Sequence, residues 1–296
     1  CGFVTCLAFA MQLAKKAVVI EKCPFISEES KMTLEAQALP PIKSITLGNE
    51  NSKFEIGNET VMFRHEEKFR NPTGVGFIID DNLSDDQIKE RLKKINALKF
   101  ERVGQLLEVN LISLKQNGSS QRYLEATELV LNNTTLPLML MSADLKALKE
   151  AAGITQERKP LLYCATNDNF AQIGAIAKEF GLPLVVTAPD FDNLAKLTKE
   201  LCALGVSNLI LDTGTKPVAE KIWDLTQLRR QALKKSNRLL GYPSLAIVVE
   251  DDPYAEAITA GAYIAKYAGI VLIKGTAAWE IISILTLRQN IYTDPQ

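Results

Sequence analysis

The chain has 296 residues, of which 47% are hydrophobic, and its 34 basic and 35 acidic side chains nearly cancel. This composition is typical of a globular protein with enough apolar residues for a sizeable core, and the balanced charge gives no sign of a nucleic-acid or anionic membrane partner. No apolar run approaches the roughly 18 residues that a membrane span needs, so we expect no transmembrane helix.

The first 39 residues are interpreted as a small helical module that carries three of the five cysteines, Cys1, Cys6 and Cys23. The segment CGFVTCLAFAM lacks the positively charged start of a signal peptide. Cys164 and Cys202 are isolated in apolar surroundings, which favours packing roles for both. Because cysteines in this number and arrangement do not make a disulfide framework, we expect a reducing, cytoplasmic location. The chain starts at cysteine, so we interpret its amino terminus as cut.

Residues 40–73 are predicted to be a linker followed by a cap. PPIK, at residues 40–43, is the linker signal. ITLG, KFEIG and TVMFR are interpreted as short strands that turn at GNEN and GNE. We expect them to form a β-hairpin cap on the bottom of the domain that follows.

Residues 74–296 alternate short apolar runs with amphipathic helical stretches. Such runs are typical of buried parallel strands, and several helical stretches open with Ser, Asp or Asn, the residues that cap helices. Eight strand–helix units in about 220 residues predict an α/β fold of the (β/α)8 TIM barrel type. An open doubly wound sheet is the alternative, because sequence patterns do not show closure. The predicted strands are 75–80, 107–114, 138–141, 161–164, 184–187, 209–212, 244–249 and 270–273.

Polar residues follow the predicted strands, at the face where barrel enzymes carry their active sites. Carboxylates and amides there could bind a pterin ring. The interpretation that we favour is that they cap the following helices, as Asp168 and Asp190 are placed to do. We predict no catalytic residue and no role for the single histidine, His65. The strand-end residues are Asp80, Asp81, Ser142, Asn167, Asp190, Asp212, Glu250 and Lys274.

The clustered cysteines suit a metal centre. Four residues separate Cys1 from Cys6, sixteen separate Cys6 from Cys23, and Pro24 follows. Thiolates are the ligands of iron-sulfur clusters, and a proline after the last ligand helps to turn the chain around the cluster. Zinc is disfavoured because no histidine or further cysteine pair lies nearby. The alternative is that Cys6 is a small apolar helix residue and Cys23 a loop thiol.

Several longer motifs resemble one family, the large (gamma) subunit of the corrinoid iron-sulfur protein of the acetyl-CoA decarbonylase/synthase system. These motifs are CGFVTCLAFAMQLAKK, EKCPFISEESK, TVMFRHEEKFRNPTG, FERVG, RKPLLYCATNDN and LTQLRRQALKK. The resemblance runs over essentially the whole chain. In that family a C-x2-C-x4-C-x16-C set binds a 4Fe-4S cluster, which implies that Cys1, Cys6 and Cys23 are metal ligands and that a first ligand lies upstream. It also implies a corrinoid-holding domain after the barrel, which we expect to be absent from this chain.

The resemblance implies a methyl carrier in anaerobic one-carbon metabolism, the Wood–Ljungdahl pathway or its reverse. Corrinoid cobalt would carry a methyl group from methyltetrahydropterin to acetyl-CoA synthase, and the 4Fe-4S cluster would reactivate Co(II). The implied partners are the small subunit of a heterodimer, a methyltetrahydropterin methyltransferase and acetyl-CoA synthase. The chain would then be a subunit of a corrinoid-dependent methyltransferase system and would not be catalytic alone.

A free-standing barrel methyltransferase that binds methyltetrahydropterin directly is the alternative function. A barrel tethered to an unrelated ferredoxin module is a third. The methyltransferase must bind a pterin in its isolated barrel, whereas the carrier need not.

Overall fold

The computed structural model describes residues 1–14, 17–27 and 40–293. Residues 15, 16 and 28–39 of the predicted amino-terminal module therefore lie outside the described residues. Helix α1 spans Cys6–Ala14, and a 3-10 turn follows at Ile20–Lys22. No helix among these described ranges is both long enough and apolar enough to cross a membrane.

A β-hairpin precedes the main sheet. Strands β1 (Ile45–Asn49) and β2 (Ser52–Ile56) pair antiparallel. The predicted third strand at TVMFR is wrong, since residues 60–64 form no strand. The segment at 40–43, predicted as a linker, is attached to the rest of the fold: Ile42 forms a β-bridge with Glu59.

Eight parallel strands form the main sheet, and two further strands, β4 (Lys99–Arg102) and β5 (Gln105–Glu108), form a separate hairpin. The prediction of a single strand at 107–114 is wrong, because this range contains the end of β5 and most of the barrel strand β6 (Leu111–Lys115). The barrel strands are β3 (Gly74–Asp80), β6 (Leu111–Lys115), β7 (Leu138–Met141), β8 (Leu161–Ala165), β9 (Leu184–Thr187), β10 (Leu209–Asp212), β11 (Leu245–Ile247) and β12 (Ile270–Ile273).

The sheet closes into a barrel. Its strand order is β10-β9-β8-β7-β6-β3-β12-β11, with every neighbouring pair parallel. The two ends of this order meet where Leu211 of β10 bridges Ser244 and its N–H donates to the Pro243 carbonyl at 2.8 Å. The predicted (β/α)8 fold is therefore confirmed, and the open doubly wound sheet is excluded.

One α-helix follows each barrel strand, as the fold requires. Five of the eight begin at a capping side chain that accepts a backbone N–H: Ser84, Ser119, Asp144, Asp190 and Asp252. The helices are α2 (Asp85–Asn96), α3 (Ser120–Asn133), α4 (Leu145–Thr155), α5 (Phe170–Phe180), α6 (Phe191–Ala203), α7 (Val218–Leu233), α8 (Pro253–Ala265) and α9 (Ala278–Tyr292).

The apolar core has two layers, and the hairpin β1–β2 belongs to the inner one. The outer layer lies between the strands and the helices, and the inner layer fills the barrel. Ile45, Leu47 and Ile56 of the hairpin are buried among the inner side chains. A Cβ at Gly74, the first residue of β3, would overlap the Phe54 ring. The hairpin therefore plugs the amino-terminal end of the barrel, and the carboxyl ends of the strands lie at the opposite face.

Candidate functional site

The amino-terminal thiols lie on two short elements. The Thr5 hydroxyl accepts the Ala8 N–H at 3.1 Å, which caps α1 and makes Cys6 its first residue. Cys23 follows the 3-10 turn, and its N–H donates to the Ile20 carbonyl at 3.0 Å. Cys6 is exposed, and Cys1 and Cys23 are partly exposed.

These three residues fit an iron-sulfur cluster in the chemistry of their donors. All are free thiols rather than disulfides, and thiolates are the ligands that iron-sulfur clusters need. Within residues 1–14, 17–27 and 40–293, however, no group of three or more His, Cys, Asp or Glu side chains is arranged as a ligand set. The structure does not gather the thiols into a preformed site, so the assignment of Cys1, Cys6 and Cys23 as ligands stays a prediction.

The carboxyl-end face of the barrel centres on Asp212, at the end of β10. Its carboxylate accepts from the Tyr163 hydroxyl at 2.9 Å, from the Lys221 ammonium at 2.7 Å and from the Gly214 N–H at 2.9 Å. The Asp212 and Lys221 side chains are only 2% and 3% exposed. Asp212 is thus neutralised and fully engaged inside the protein, which leaves it no free oxygen to direct at a ligand.

Burial dominates the acid–base properties of this region. Burial, followed by the Asp212 charge, raises the pKa of the Tyr163 hydroxyl, so Tyr163 stays a hydrogen-bond donor at neutral pH. Burial likewise raises the pKa of the neighbouring Cys164 thiol. A protonated thiol is a poor nucleophile and a poor metal ligand. The prediction that Cys164 packs is consistent with this, since it lies against the inner core layer.

Asp80 and Asp81, at the end of β3, bind the loop that follows β6. Asp81 accepts the N–H groups of Asn117 and Gly118 at 2.7 and 2.8 Å, and Asp80 accepts the Asn117 side-chain amide at 2.6 Å. Asp81 is completely buried. These carboxylates therefore hold two loops of the barrel face together.

The remaining strand-end residues are mostly engaged locally. The Ser142 hydroxyl donates to the Asp144 carbonyl at 2.9 Å, and Glu250 accepts from the Thr259 hydroxyl at 2.9 Å. Lys274 pairs with the exposed Asp251 at 3.5 Å. Asp190 caps α6 by accepting the Asn193 N–H at 2.9 Å, as predicted. Asn167 is exposed.

The predicted cap at Asp168 is wrong. Asn169 stands at the amino terminus of α5 instead, and its side chain bonds Thr166 and Cys164 on the strand side rather than capping the helix. The reason is that the turn from β8 to α5 uses the amide as both acceptor and donor, which a carboxylate at neutral pH cannot reproduce.

Cys202 and His65 lie away from both regions. Cys202 packs against the outer core layer, with its sulfur 3.3 Å from the Tyr242 hydroxyl. His65 is exposed and stacks on Phe63, with ring centroids 5.6 Å apart. The contacts of Cys202 agree with the packing role predicted for it.

Sequence reasoning missed two sets of residues at the barrel face. One is the pair Tyr163 and Lys221, which neutralises Asp212. The other is Glu256 and Glu280, buried carboxyls at 3% and 0% exposure. Lys221 lies four residues before the buried Leu225, and therefore on the apolar face of α7. A charged residue on that inward face was the signal in the sequence that could have identified Lys221.

Solved structures with the same architecture include dihydropteroate synthases. The Yersinia pestis enzyme matches with a TM-score of 0.56 and 14% identity over 83% of this chain and 98% of that chain. The Thermus thermophilus enzyme in complex with 6HMPPP matches with 0.57 and 15% over 83% and 100%. At this identity the likeness shows the fold alone. The class of protein is therefore a (β/α)8 barrel with a cysteine-bearing segment in front of it.

Sequence comparisons narrow this class to one family. The family model described as CO dehydrogenase/acetyl-CoA synthase delta subunit matches residues 44–296, and a second model, described as an Fe-S cluster, matches residues 1–25. The corrinoid/iron-sulfur protein large subunit of Moorella thermoacetica is 39% identical over 100% of this chain and 67% of its own length. The acetyl-CoA decarbonylase/synthase complex subunit gamma of Methanothermobacter thermautotrophicus is 33% identical over 100% and 68%. The chain belongs to this family of corrinoid/iron-sulfur protein large subunits.

The barrel model carries the name of the delta subunit, whereas the relatives are large or gamma subunits. We follow the relatives, because their similarity includes the cysteine segment ahead of the barrel. The recognition made from the sequence motifs is confirmed.

Proposed function

We propose that this chain supplies the electron-transfer cluster and the central barrel of a corrinoid iron-sulfur protein within an acetyl-CoA decarbonylase/synthase system. When bound, the corrinoid would carry a methyl group on cobalt between methyltetrahydropterin and acetyl-CoA synthase, and a 4Fe-4S cluster would return Co(II) to its reduced form. The names of the Moorella and Methanothermobacter relatives, which match the whole of this chain, support the proposal.

Within this scheme Cys1, Cys6 and Cys23 hold the cluster. Three thiolates leave one iron of a cubane dependent on a further ligand, which we assign to a position outside these three. Because Cys6 is exposed at the start of α1, a cluster held there lies at the protein surface. Such a position suits exchange of electrons with a partner.

The observation that carries the proposal is the contrast between the free thiols and the barrel face. The thiols at the amino terminus are unpaired and reachable, whereas Asp212 is locked by Tyr163 and Lys221. The side chains equipped for redox chemistry are thus in the amino-terminal segment, and the barrel serves as a scaffold. A pterin-binding methyltransferase, the alternative function, requires instead that polar side chains at the barrel face be free to bind a ligand.

We further propose an organisation of 1–39 as the cluster module, 40–73 as linker and hairpin cap, and 74–296 as the barrel. The partners in this proposal are the small subunit of a heterodimer, a separate methyltransferase and acetyl-CoA synthase. The chain is not catalytic by itself in this scheme, since its role is to position metal centres whose chemistry belongs to the cofactors.

The experiment that tests this function separates electron transfer from methyl transfer in the assembled corrinoid protein. Cys6→Ala and Cys23→Ala should slow the recovery of activity from Co(II) at least about tenfold, because the cluster no longer delivers an electron. Methyl transfer started from chemically reduced Co(I) should stay within about twofold of the wild type. Cys202→Ala is the matched control and should change neither rate. Equal loss of both activities in the Cys6 and Cys23 variants would contradict the division of roles.

A further inference from the structure

A pair of buried carboxyl groups lies at the barrel face and takes no part in the function proposed above. Glu256 is in the first turn of α8 and Glu280 in the first turn of α9, and their exposures are 3% and 0%. The two oxygens of Glu256 accept the N–H groups of Lys274 and Gly275, each at 2.7 Å. Glu256 thereby joins α8 to the loop after β12.

Gly275 shows how closely the two carboxyls approach. A Cβ at this position would overlap Glu280 Oε2 and would lie only 2.5 Å from Glu280 Oε1 and from Glu256 Oε2. Three carboxyl oxygens therefore converge on one point of the backbone. Two negative charges in such a small, dry space would repel strongly, and a single proton between the carboxyls removes that repulsion.

Arg91 of α2 is a cation that acts on the pair: its charge interacts with that of Glu256, whereas the groups that act on Glu280 are Glu256 itself and the Ala277 backbone. Arg91 of α2 donates to the Lys274 carbonyl, and the Lys274 ammonium pairs with Asp251 at 3.5 Å. Other acids lie on the surrounding elements: Asp80 at the end of β3, whose charge acts on Arg91, Glu250 in the loop after β11, which accepts from Thr259, and Asp252, which caps α8.

The electrostatic environment agrees with the geometry. Burial comes first and the adjoining Glu256 second in raising the pKa of Glu280 to about 8, while the Ala277 backbone acts in the opposite direction. Glu280 therefore keeps its proton at neutral pH and loses it within the mildly alkaline range.

We propose that Glu256 and Glu280 share one proton and form a pH-sensitive latch that ties the first turns of α8 and α9 to the carboxyl end of β12. When the proton is present, it bridges the two carboxyls. When it leaves, two like charges meet beside Gly275 and the corner loosens.

The structure contains its own reporter for this latch. Tyr254 lies two residues before Glu256 and Trp279 directly before Glu280, and their rings pack with centroids 4.8 Å apart. Loosening the corner separates these rings and changes the surroundings of the indole. The chain has two tryptophans, and the other, Trp223, is exposed on α7, so Trp223→Phe leaves Trp279 as the only tryptophan, which can be excited selectively beyond the absorption of neutral tyrosine.

The test is a fluorescence titration in the Trp223→Phe background, from about pH 6 to about pH 10. We expect a reversible change in Trp279 emission with a midpoint near 8, and no such transition in Glu280→Gln, whose amide keeps the bridge without titrating. Asp251→Asn, at a carboxyl with 94% side-chain exposure, is the matched control and should retain the transition. A transition that persists unchanged in Glu280→Gln would overturn the proposal.

A second measurement begins with the native protein, so its main result does not depend on how a variant folds. Infrared difference spectra of the native protein should show the carbonyl band of a protonated carboxylic acid at about pH 7, where an ordinary glutamate is ionised. Glu256→Gln should lower the pH at which that band disappears, because the neighbouring charge is gone. Absence of the band in the native protein would refute the shared proton directly.

Discussion

At the scale of single residues, the buried ion pair between Lys221 and Asp212 organises the barrel face. Replacing Lys221 by Met leaves the Asp212 carboxylate buried without a cation, which should lower the free energy of unfolding by about 3–5 kcal/mol. The double variant Asp212→Asn with Lys221→Met removes both charges and keeps an acceptor for Tyr163, so it should recover much of this loss. Urea denaturation of the unmodified protein, the Lys221→Met variant and the double variant measures these free energies of unfolding.

The matched control for this prediction is an exposed pair. Lys94 and Glu90 lie 2.8 Å apart with side chains 60% and 66% exposed. Lys94→Met should therefore change the free energy of unfolding by no more than about 1 kcal/mol. Equal effects of Lys221→Met and Lys94→Met would show that the buried pair does not organise the face.

The same residues show how far the sequence reaches at this scale. The position of Asp212 at a strand end was predictable, because its apolar strand ends there. Its partners were not, since only the rotation of α7 about its axis turns Lys221 inward and only the closed barrel brings Tyr163 of β8 toward β10. Contacts between elements that are distant in sequence depend on packing, which no local pattern records.

At the scale of elements, the hairpin β1–β2 and the first barrel strand are fitted to one another. In Gly74→Ala the new methyl group would overlap the edge of the Phe54 ring. This overpacking should lower the free energy of unfolding by about 1–3 kcal/mol. Gly153→Ala, in the interior of α4 with its closest neighbour 3.9 Å from the new Cβ, is the matched control. It should raise stability by about 0.5–1 kcal/mol through helix propensity. A neutral or stabilising effect of Gly74→Ala would contradict close packing between the hairpin and the first barrel strand.

Element prediction succeeded where the apolar pattern was uninterrupted. The strands at 138–141, 184–187, 209–212 and 270–273 have the predicted bounds, because each is a short buried run with a clear end. The run at 107–114 was misread as one strand, since the end of β5 and the start of β6 are both apolar and only Asn110 marks the break between them. TVMFR carries a strand-like composition but forms no strand, which reflects the context dependence of β-propensity.

At the scale of the whole molecule, the proposed function divides the chain into a scaffold barrel and a redox segment. Calorimetric titration of methyltetrahydrofolate into the protein should give no binding heat up to about 100 μM, because the described strand-end acids are engaged in the protein's own hydrogen bonds. Binding that is lost in Asp80→Ala or Asn167→Ala would instead support the methyltransferase alternative. The strand–helix alternation and the family were both predictable from the sequence, whereas the closure of the barrel and the neutralised barrel face were not.

The most direct test of the central claim is the iron content of the protein after anaerobic reconstitution. We predict that Cys6→Ala and Cys23→Ala each lose at least about half of the iron that the unmodified chain binds, because each removes a thiolate that the cluster needs. Cys164→Ala and Cys202→Ala, which alter packing cysteines outside the amino-terminal segment, should bind as much iron as the unmodified chain. Equal iron in all five proteins would contradict the assignment of Cys1, Cys6 and Cys23 as the cluster ligands and, with it, the proposed redox role of the chain.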